Sequence, residues 1–418
     1  MNSINISSSS LCVFSLANEA YRRGLEVTFL CEKKVQELCE KKQMKYNPKY
    51  NRVGFVFVIS DGIINITFSK TKVLCSNIIK SDETWFGSLF GRKRYHSAGF
   101  YQGKKEQKRA LSNLKIDTAR YRVVDKARKS FPNDLNSIVD VLGFPLVAKP
   151  VAGSMGKGVH VNINTRETLL LSINEIKATQ CIVEEYVQGV EYRVYTVNGV
   201  PVGAVRRTPP YVIGDGEKTI NELLIQANNK KRRMKRPIIN IEQAIINLTK
   251  RGLTLYSIPD KDIYINLGDV LGRSSGGYVI RDDSILSSTH LKQICRKIDK
   301  LYDGIILGID LINDKDRYVV IEINDRPQLS TILDPDYGEA CDISRLVIKK
   351  LFPSSRRVRK RKNSGDFIRF WNLIKASKND LLWSPLNYQD RILHAANTRR
   401  KLFNYKKSIL GAIGIKVI

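Results

Sequence analysis

The chain has 418 residues, 42% of them apolar, enough for two or three domains with a sizeable core. No apolar run approaches the ~18 residues of a membrane span, and the N-terminal stretch lacks the basic n-region of a secretory signal. With 70 Lys and Arg against 41 Asp and Glu, the formal net charge is +29, which points to anionic partners: nucleotides, acidic substrates, nucleic acid or an anionic membrane surface.

Seven cysteines (Cys12, Cys31, Cys39, Cys75, Cys181, Cys295, Cys341) are scattered and form no C-x-x-C pair. Reduced thiols in a cytoplasmic protein are expected. Four scattered histidines give no zinc motif.

A helix is predicted over 8–23, ended by Gly24, with a strand over 25–30 after it; helix, glycine and strand suggest half of an α/β unit. The serine run 7–10 reads as a helix cap rather than a phosphate cradle. Strands over 53–60 and 63–68 flank the hairpin signal Asp61-Gly62. The stretch 81–101 is irregular and aromatic, without an assignment.

Helices are predicted over 104–113 and 134–142, the second ended by Gly143, with a short strand over 121–124. Residues 144–150 then read as a buried strand carrying Lys149. A lysine there is costly unless it meets an anion. Directly after it, Gly153, Gly156 and Gly158 let the backbone turn tightly and present N–H groups to phosphate oxygens. A strand over 159–163 comes after the loop. Strand, glycine loop and strand differ from Walker and Rossmann turns, which open into a helix.

A helix over 165–178 and a strand over 181–187 come next, then two strands, 189–197 and 200–206, joined at Asn198-Gly199. Glu191 and Arg193 alternate on one face, as an exposed ion pair or a functional one. The basic run 230–236 reads as a solvated loop, 219–228, 241–251 and 288–302 as helices, and 272–277 as a second small-residue loop.

Two apolar runs, 304–312 and 318–323, are joined by 313–316, which has hairpin composition. Pairing them would set Asp310 beside Glu322. Glu322 and Asn324, two apart on a strand, share a face. Two carboxylates and an amide oxygen, with phosphate oxygens, make a hard site suited to Mg²⁺, unless the hairpin is merely solvated. A helix over 342–351 closes the fold.

Taken in order, Val147-Ala-Lys-Pro150, the glycine loop, Val183-Glu-Glu-Tyr-Val187, Glu191-Tyr-Arg193, Gly308-Ile-Asp310 and Glu322-Ile-Asn324-Asp-Arg-Pro327 resemble an ATP-grasp carboxylate–amine ligase. Val212-Ile-Gly-Asp-Gly216 and Ser274-Ser-Gly-Gly277 point to the subgroup containing the ATP-grasp module of cyanophycin synthetase and bifunctional glutathione synthetase. The resemblance runs from about Lys104 to Leu351. It implies an α/β (α+β) chain: an N-terminal α/β pre-ATP-grasp domain (1–103), an ATP-grasp domain (104–352) with an ATP lobe near 120–188 and a catalytic lobe near 189–352, and a basic, partly helical tail (353–418).

The same resemblance implies roles. Lys104 and Lys149 would hold the ATP phosphates, and Gly153, Ser154, Gly156 and Gly158 would close over them. Glu184, Glu185, Tyr186 and Val187 would meet adenine, and Glu191 the ribose. Asp310, Glu322 and Asn324 would bind two Mg²⁺ ions, for which Mn²⁺ could substitute. Arg193, Arg206 and Arg273 would steady the transferred phosphoryl group. Asn266 stands where the subgroup has an arginine, with Arg273 nearby as its substitute. The second catalytic domains of those enzymes do not fit in this length, so a stand-alone module is expected.

The expected activity is ATP-dependent joining of a carboxylate to an amine through an acyl phosphate. A kinase on the same fold, or a basic anion- or nucleic-acid-binding protein, are the alternatives. The net charge favours an acidic amino acid, acidic peptide or other polyanion as substrate, and a homodimer is the expected assembly. From Ser354 onward, 16 Lys and Arg stand against 3 Asp. This tail, with aromatics between its basic residues, is expected either to pack on the domain or to dock an anionic surface. It carries no recognised nucleic-acid motif.

Overall fold

The computed structural model describes residues 8–29, 36–37, 56–69, 72–78, 84–85, 103–152, 156, 158–234, 236–302, 305–315 and 317–356. The predicted basic tail therefore lies outside the described residues, except its first few. So do Gly153 and Ser154 of the glycine loop. Among the described residues no helix is long and apolar enough to cross a membrane.

Among the described residues the N-terminal part includes the helix α1 (Ser8–Arg22) and the strands β1 (Glu26–Phe29), β2 (Val56–Ser60), β3 (Ile64–Ser69), β4 (Lys72–Ile78) and β5 (Thr84–Trp85). They form a sheet in the order β1-β2-β3-β4-β5 with every pair antiparallel. This differs from the α/β unit expected from helix, glycine and strand. Parallel pairing needs long crossovers, whereas turns as short as that between β2 and β3 return the chain antiparallel. That turn is built as its residues dictate: Gly62 sits at φ 87°, and Asp61 Oδ1 accepts from the N–H groups of Ile63 and Ile64.

The hydrophobic core does not break at residue 103. Leu16, Phe57, Ile59 and Phe68 pack in one cluster with Tyr195, Val205, Leu329 and Ile348. Polar contacts reinforce the seam. The Leu329 N–H donates to Cys12 Sγ at 3.1 Å, and the Ser344 and Ser15 hydroxyls meet at 2.8 Å.

The next segment carries α2 (Lys104–Asn113), β6 (Tyr121–Asp125), α3 (Asp134–Leu142), β7 (Leu146–Pro150), β8 (His160–Ile163), α4 (Arg166–Glu175) and β9 (Gln180–Glu185). Its four strands form an antiparallel sheet, β6-β9-β7-β8, covered by α3 and α4. Thr165 caps α4 through a capping box with Thr168.

A second lobe comes after it: β10 (Val190–Val197), β11 (Val200–Thr208), β12 (Tyr211–Ile213), α5 (Ile220–Arg233), α6 (Ile241–Thr249), β13 (Tyr264–Asn266), β14 (Tyr278–Arg281), α7 (Thr289–Asp299), β15 (Ile306–Asp314), β16 (Arg317–Asn324), α8 (Ser330–Leu333) and α9 (Ile343–Leu351). The main sheet runs β14-β11-β10-β15-β16, and β12 and β13 form a separate two-stranded sheet. One difference from the predicted elements is the basic run 230–236. Residues 230–233 are the last turn of α5, where cations meet the negative end of the helix dipole.

Candidate active site

The site begins with strand register. Asp310 on β15 stands opposite Glu322 on β16, and Gly308 opposite Asn324, so both pairs point to one face of the sheet. Arg193 on β10 stands opposite Asp310 from the other side. Gly308 is what lets this face close. A Cβ there would lie 2.8 Å from Pro327 Cβ and close to Arg193 Cδ and Asn324 Cβ.

Arg193 grips Asp310 with both ends of its guanidinium, Nε to Oδ1 at 2.6 Å and Nη2 to Oδ2 at 2.7 Å. Arg207 Nη2 reaches Asp310 Oδ2 at 2.9 Å and also contacts Glu191. Burial pushes the Asp310 carboxyl up, and the two guanidinium groups overcome it, holding it below the ordinary carboxylate value. For Glu191, burial wins over Arg207 and its carboxyl is raised.

Of the three arginines expected at the phosphoryl group, only Arg193 is on this face. Arg206 is paired in register with Tyr192 and lies on the opposite face. Its neighbour Arg207 takes the place beside Asp310. One strand position decides which arginine faces the site, and composition carries no sign of it. Arg273 also lies apart: Nε donates to Asp336 at 3.2 Å and Nη2 to the Asp334 carbonyl at 2.6 Å. Asn266 has its side-chain oxygen on the Gly268 N–H.

The oxygens of Glu322 and Asn324 complete an all-oxygen donor set with Asp310, the chemistry that suits Mg²⁺. Asn324 Nδ2 is buried without a hydrogen-bond partner, an orphaned polar atom at that face. Among the described residues no three His, Cys, Asp or Glu gather as a metal site. The donor set fits the ion only with phosphate oxygens completing it.

Residues 278–347 match the model of the RimK-like ATP-grasp domain, and the whole of this donor set falls inside that span. The chain thus resembles RimK-like ATP-grasp proteins over that span. It is 30% identical over 239 residues to cyanophycin synthetase of Synechocystis sp., a match covering 52% of this chain and 27% of that protein. It is 28% identical over 228 residues to the glutathione biosynthesis bifunctional protein of Enterococcus faecalis, covering 50% of this chain and 30% of that protein. The match thus spans less than a third of each relative's length. Among solved structures, a bifunctional glutathione synthetase from Pasteurella multocida aligns over 72% of this chain and 40% of its own at a TM-score of 0.48 and 20% identity.

In the four-stranded sheet, Lys149 is buried on β7 and reaches Glu184 Oε2 at 2.8 Å. A second lysine, Lys108 of α2, reaches Glu184 Oε1 at 3.0 Å and is 1% exposed. Lys108 was invisible as a site residue, since on a helix one lysine among several looks solvated. Burial pushes the Glu184 carboxyl up, but Lys149 and Lys108 overcome it and leave it lowered. Glu184 thus turns its side chain between two lysines, while Glu185 pairs with Arg120 at 2.6 Å and Tyr186 is exposed.

Helix α2 couples the lobes. Gln107 donates to the Ile323 carbonyl at 2.8 Å and accepts from the Ile323 N–H at 3.0 Å, fixing the backbone between Glu322 and Asn324. Lys104, one turn earlier, is lowered by burial, with Glu322 acting against it and Lys149 adding to it. It therefore senses both lobes. Gly156 and Gly158 hold φ of 70° and 68°, the left-handed backbone a phosphate loop uses. A cavity of about 740 Å³ opens beside the loop, between β8 and α6, lined in part by Val159, Asn240 and Val270. Lys149, Asp310 and Glu322 do not line it.

The lowered Glu184 carboxyl predicts acid sensitivity. A carboxyl depressed on folding contributes its stability in full above its unfolded pKa and loses it as pH falls through the folded value. Urea midpoints should therefore fall between pH 5 and pH 3 by more in the parent protein than in Glu184→Gln. Equal falls would show that the buried triad contributes nothing to acid unfolding.

Proposed function

We propose that the chain is an ATP-dependent carbon–nitrogen ligase. A substrate carboxylate oxygen attacks the γ-phosphorus of ATP, the bond to the β-phosphate oxygen breaks, and ADP leaves an acyl phosphate. An amine then attacks the carbonyl carbon, loses a proton and expels phosphate. The observation that carries this reading is the register setting Asp310, Glu322 and Asn324 on one face beside Arg193 and Arg207. Phosphoryl transfer asks the protein mainly for positioning and for cancellation of spreading negative charge.

Asp310, Glu322 and Asn324 are assigned to two Mg²⁺ ions, or Mn²⁺ in their place, which supply charge neutralisation and alignment of the phosphates when bound. Lys149 and Lys104 hold phosphate oxygens, Lys149 exchanging Glu184 for them while Lys108 keeps Glu184 paired. The backbone of Glu184 to Val187 meets adenine, and Glu191 the ribose. Arg193 and Arg207 sit where the transferred group's charge develops. The loop 153–158 closes over the phosphates and keeps water from the acyl phosphate.

The excess of positive charge supports acidic carboxylate or amine substrates. The described cysteines Cys181, Cys295 and Cys341 are free thiols, which supports a cytoplasmic location. A homodimer and contact of the basic tail with an anionic surface complete the proposal.

Hydroxylamine separates the possible acceptors. Incubating the purified protein with MgATP, hydroxylamine and a panel of carboxylates should yield ADP and a hydroxamate from at least one of them. ADP release that accompanies a stable phosphate ester and no hydroxamate would instead assign a kinase.

A further inference from the structure

Strand β16 carries Glu322 and Asn324, yet strict alternation along it would bury both. Tyr318 and Val320 belong to an apolar cluster on one face of the main sheet, with Leu111, Ile309, Leu311 and Ile323. Counting by two from Val320 puts Glu322 and Asn324 into that cluster. A bulge prevents this. The pairing steps from Leu311 opposite Val320 to Asp310 opposite Glu322, so Ile321 has no residue opposite it. One extra residue turns Glu322 and Asn324 to the face of Asp310 and returns Ile323 to the cluster. The oxygen donor set therefore exists only while the bulge stays at Ile321. A shift of one residue would exchange the faces.

No strand pins the bulge from outside. β16 comes last in the order β14-β11-β10-β15-β16, so among the described residues nothing pairs with its outer edge as a strand. Its ladder is interrupted on one side and absent on the other. The outer edge is held in another way, once on each side of the bulge. Before it, the Val320 N–H donates to the Asp117 carbonyl at 2.8 Å. After it, Gln107 Nε2 donates to the Ile323 carbonyl at 2.8 Å, and Gln107 Oε1 accepts from the Ile323 N–H at 3.0 Å.

The Gln107 amide thus stands in for a residue of a neighbouring strand. It answers both backbone groups of the one residue that lies between the two oxygen donors. Gln107 is itself 6% exposed, so its amide does not exchange these partners for water. Its helix is seated by Leu111 in the same apolar cluster. Lys108 ties the helix down further, donating to Thr118 Oγ1 at 3.0 Å and to the Ala119 carbonyl at 3.2 Å.

We propose that Gln107 is a positioning residue for the metal site: it locks the bulge of β16 and so sets the oxygens of Glu322 and Asn324 for Mg²⁺. Gln107 gives no oxygen to an ion. It acts through the Ile323 backbone, granted the assignment of Asp310, Glu322 and Asn324 to Mg²⁺. Ion selectivity tells positioning from plain stabilisation. Mg²⁺ demands near-octahedral oxygens at about 2.0–2.1 Å, whereas Ca²⁺ accepts looser geometry at about 2.3–2.6 Å. Displaced donors therefore cost Mg²⁺ more than Ca²⁺.

The test titrates Mg²⁺ and, separately, Ca²⁺ into the full-length protein with a fluorescent, non-hydrolysable ATP analogue. It reads the ion concentration that gives half-maximal binding. Gln107→Met keeps the side-chain length and loses both bonds. It should raise the Mg²⁺ value about tenfold, the lower end of the loss seen when a group orienting a metal ligand is removed. The Ca²⁺ value should move by less than about threefold. Gln107→Asn, one methylene short of Ile323, should show the same bias, and it serves where the methionine variant folds poorly. Leu111→Ala loosens the same helix without removing either bond to Ile323, and should shift the two ions equally or not at all. Equal shifts for both ions in the Gln107 variants, a Mg²⁺ value within about twofold of the parent, or the same Mg²⁺ bias in Leu111→Ala would overturn the proposal. Nucleotide binding by the parent that ignores both ions would sink the metal assignment, and this role with it. Hydroxamate formation is scored separately, so failure of the ligase reading gives a different result from failure of the Gln107 role.

Discussion

Lys149→Ala is expected to lower ATP-dependent turnover on the order of 10²–10³-fold, the range found when one preorganised donor to a developing charge is removed. Lys149 sits 5% exposed on β7 with Glu184 as its only ion-pair partner among the described residues, so its charge is already desolvated and aimed. Desolvated charge is what binds a phosphate oxygen strongly. The variant should still fold. Breaking a buried pair is harmful when the surviving charge is left alone, and Glu184 keeps Lys108 at 3.0 Å. The expected pattern is lost ATP affinity, measured with a fluorescent nucleotide, with an unchanged circular dichroism spectrum. Turnover within about threefold of the parent in a folded variant would remove Lys149 from the phosphate site.

Glu322→Ala should be as damaging, with a different signature. Glu322 contributes no ion pair within its own lobe among the described residues, unlike Asp310, whose two oxygens are held by Arg193 and Arg207. Its removal therefore leaves the protein scaffold intact while taking away an oxygen donor that two ions would share. Nucleotide binding without metal should persist, while the dependence of turnover on Mg²⁺ concentration shifts beyond reach and activity falls by at least about 10²-fold. Asp310→Asn should instead lower thermal stability as well, because Arg193 and Arg207 lose the charge that answers theirs. A Glu322→Ala enzyme with ordinary Mg²⁺ dependence would show that the metal set is elsewhere.

Local pattern is the part of this protein that the sequence determined by itself. The alternation of Glu322 and Asn324, the hairpin composition at 313–316 and the apolar runs around Asp310 were enough to set Asp310 against Glu322, and the register bears this out. A lysine inside the apolar strand 144–150 had to meet a charge, and it meets Glu184. These features are legible because strand periodicity fixes a side chain's face once one neighbour is fixed. Only the tertiary structure decided which like residue faces which surface and which segments share a core. Arg206 and Arg207 are chemically identical and adjacent, and only pairing with β10 turns Arg207 toward Asp310. Lys108 and Gln107 lie on one helix, and Gln107 meets Ile323 from 216 residues away in the chain, so nothing local marks them. The N-terminal meander packs against α9 for the same reason: burial depends on which apolar faces meet in space, and that is a property of the assembled fold rather than of any segment.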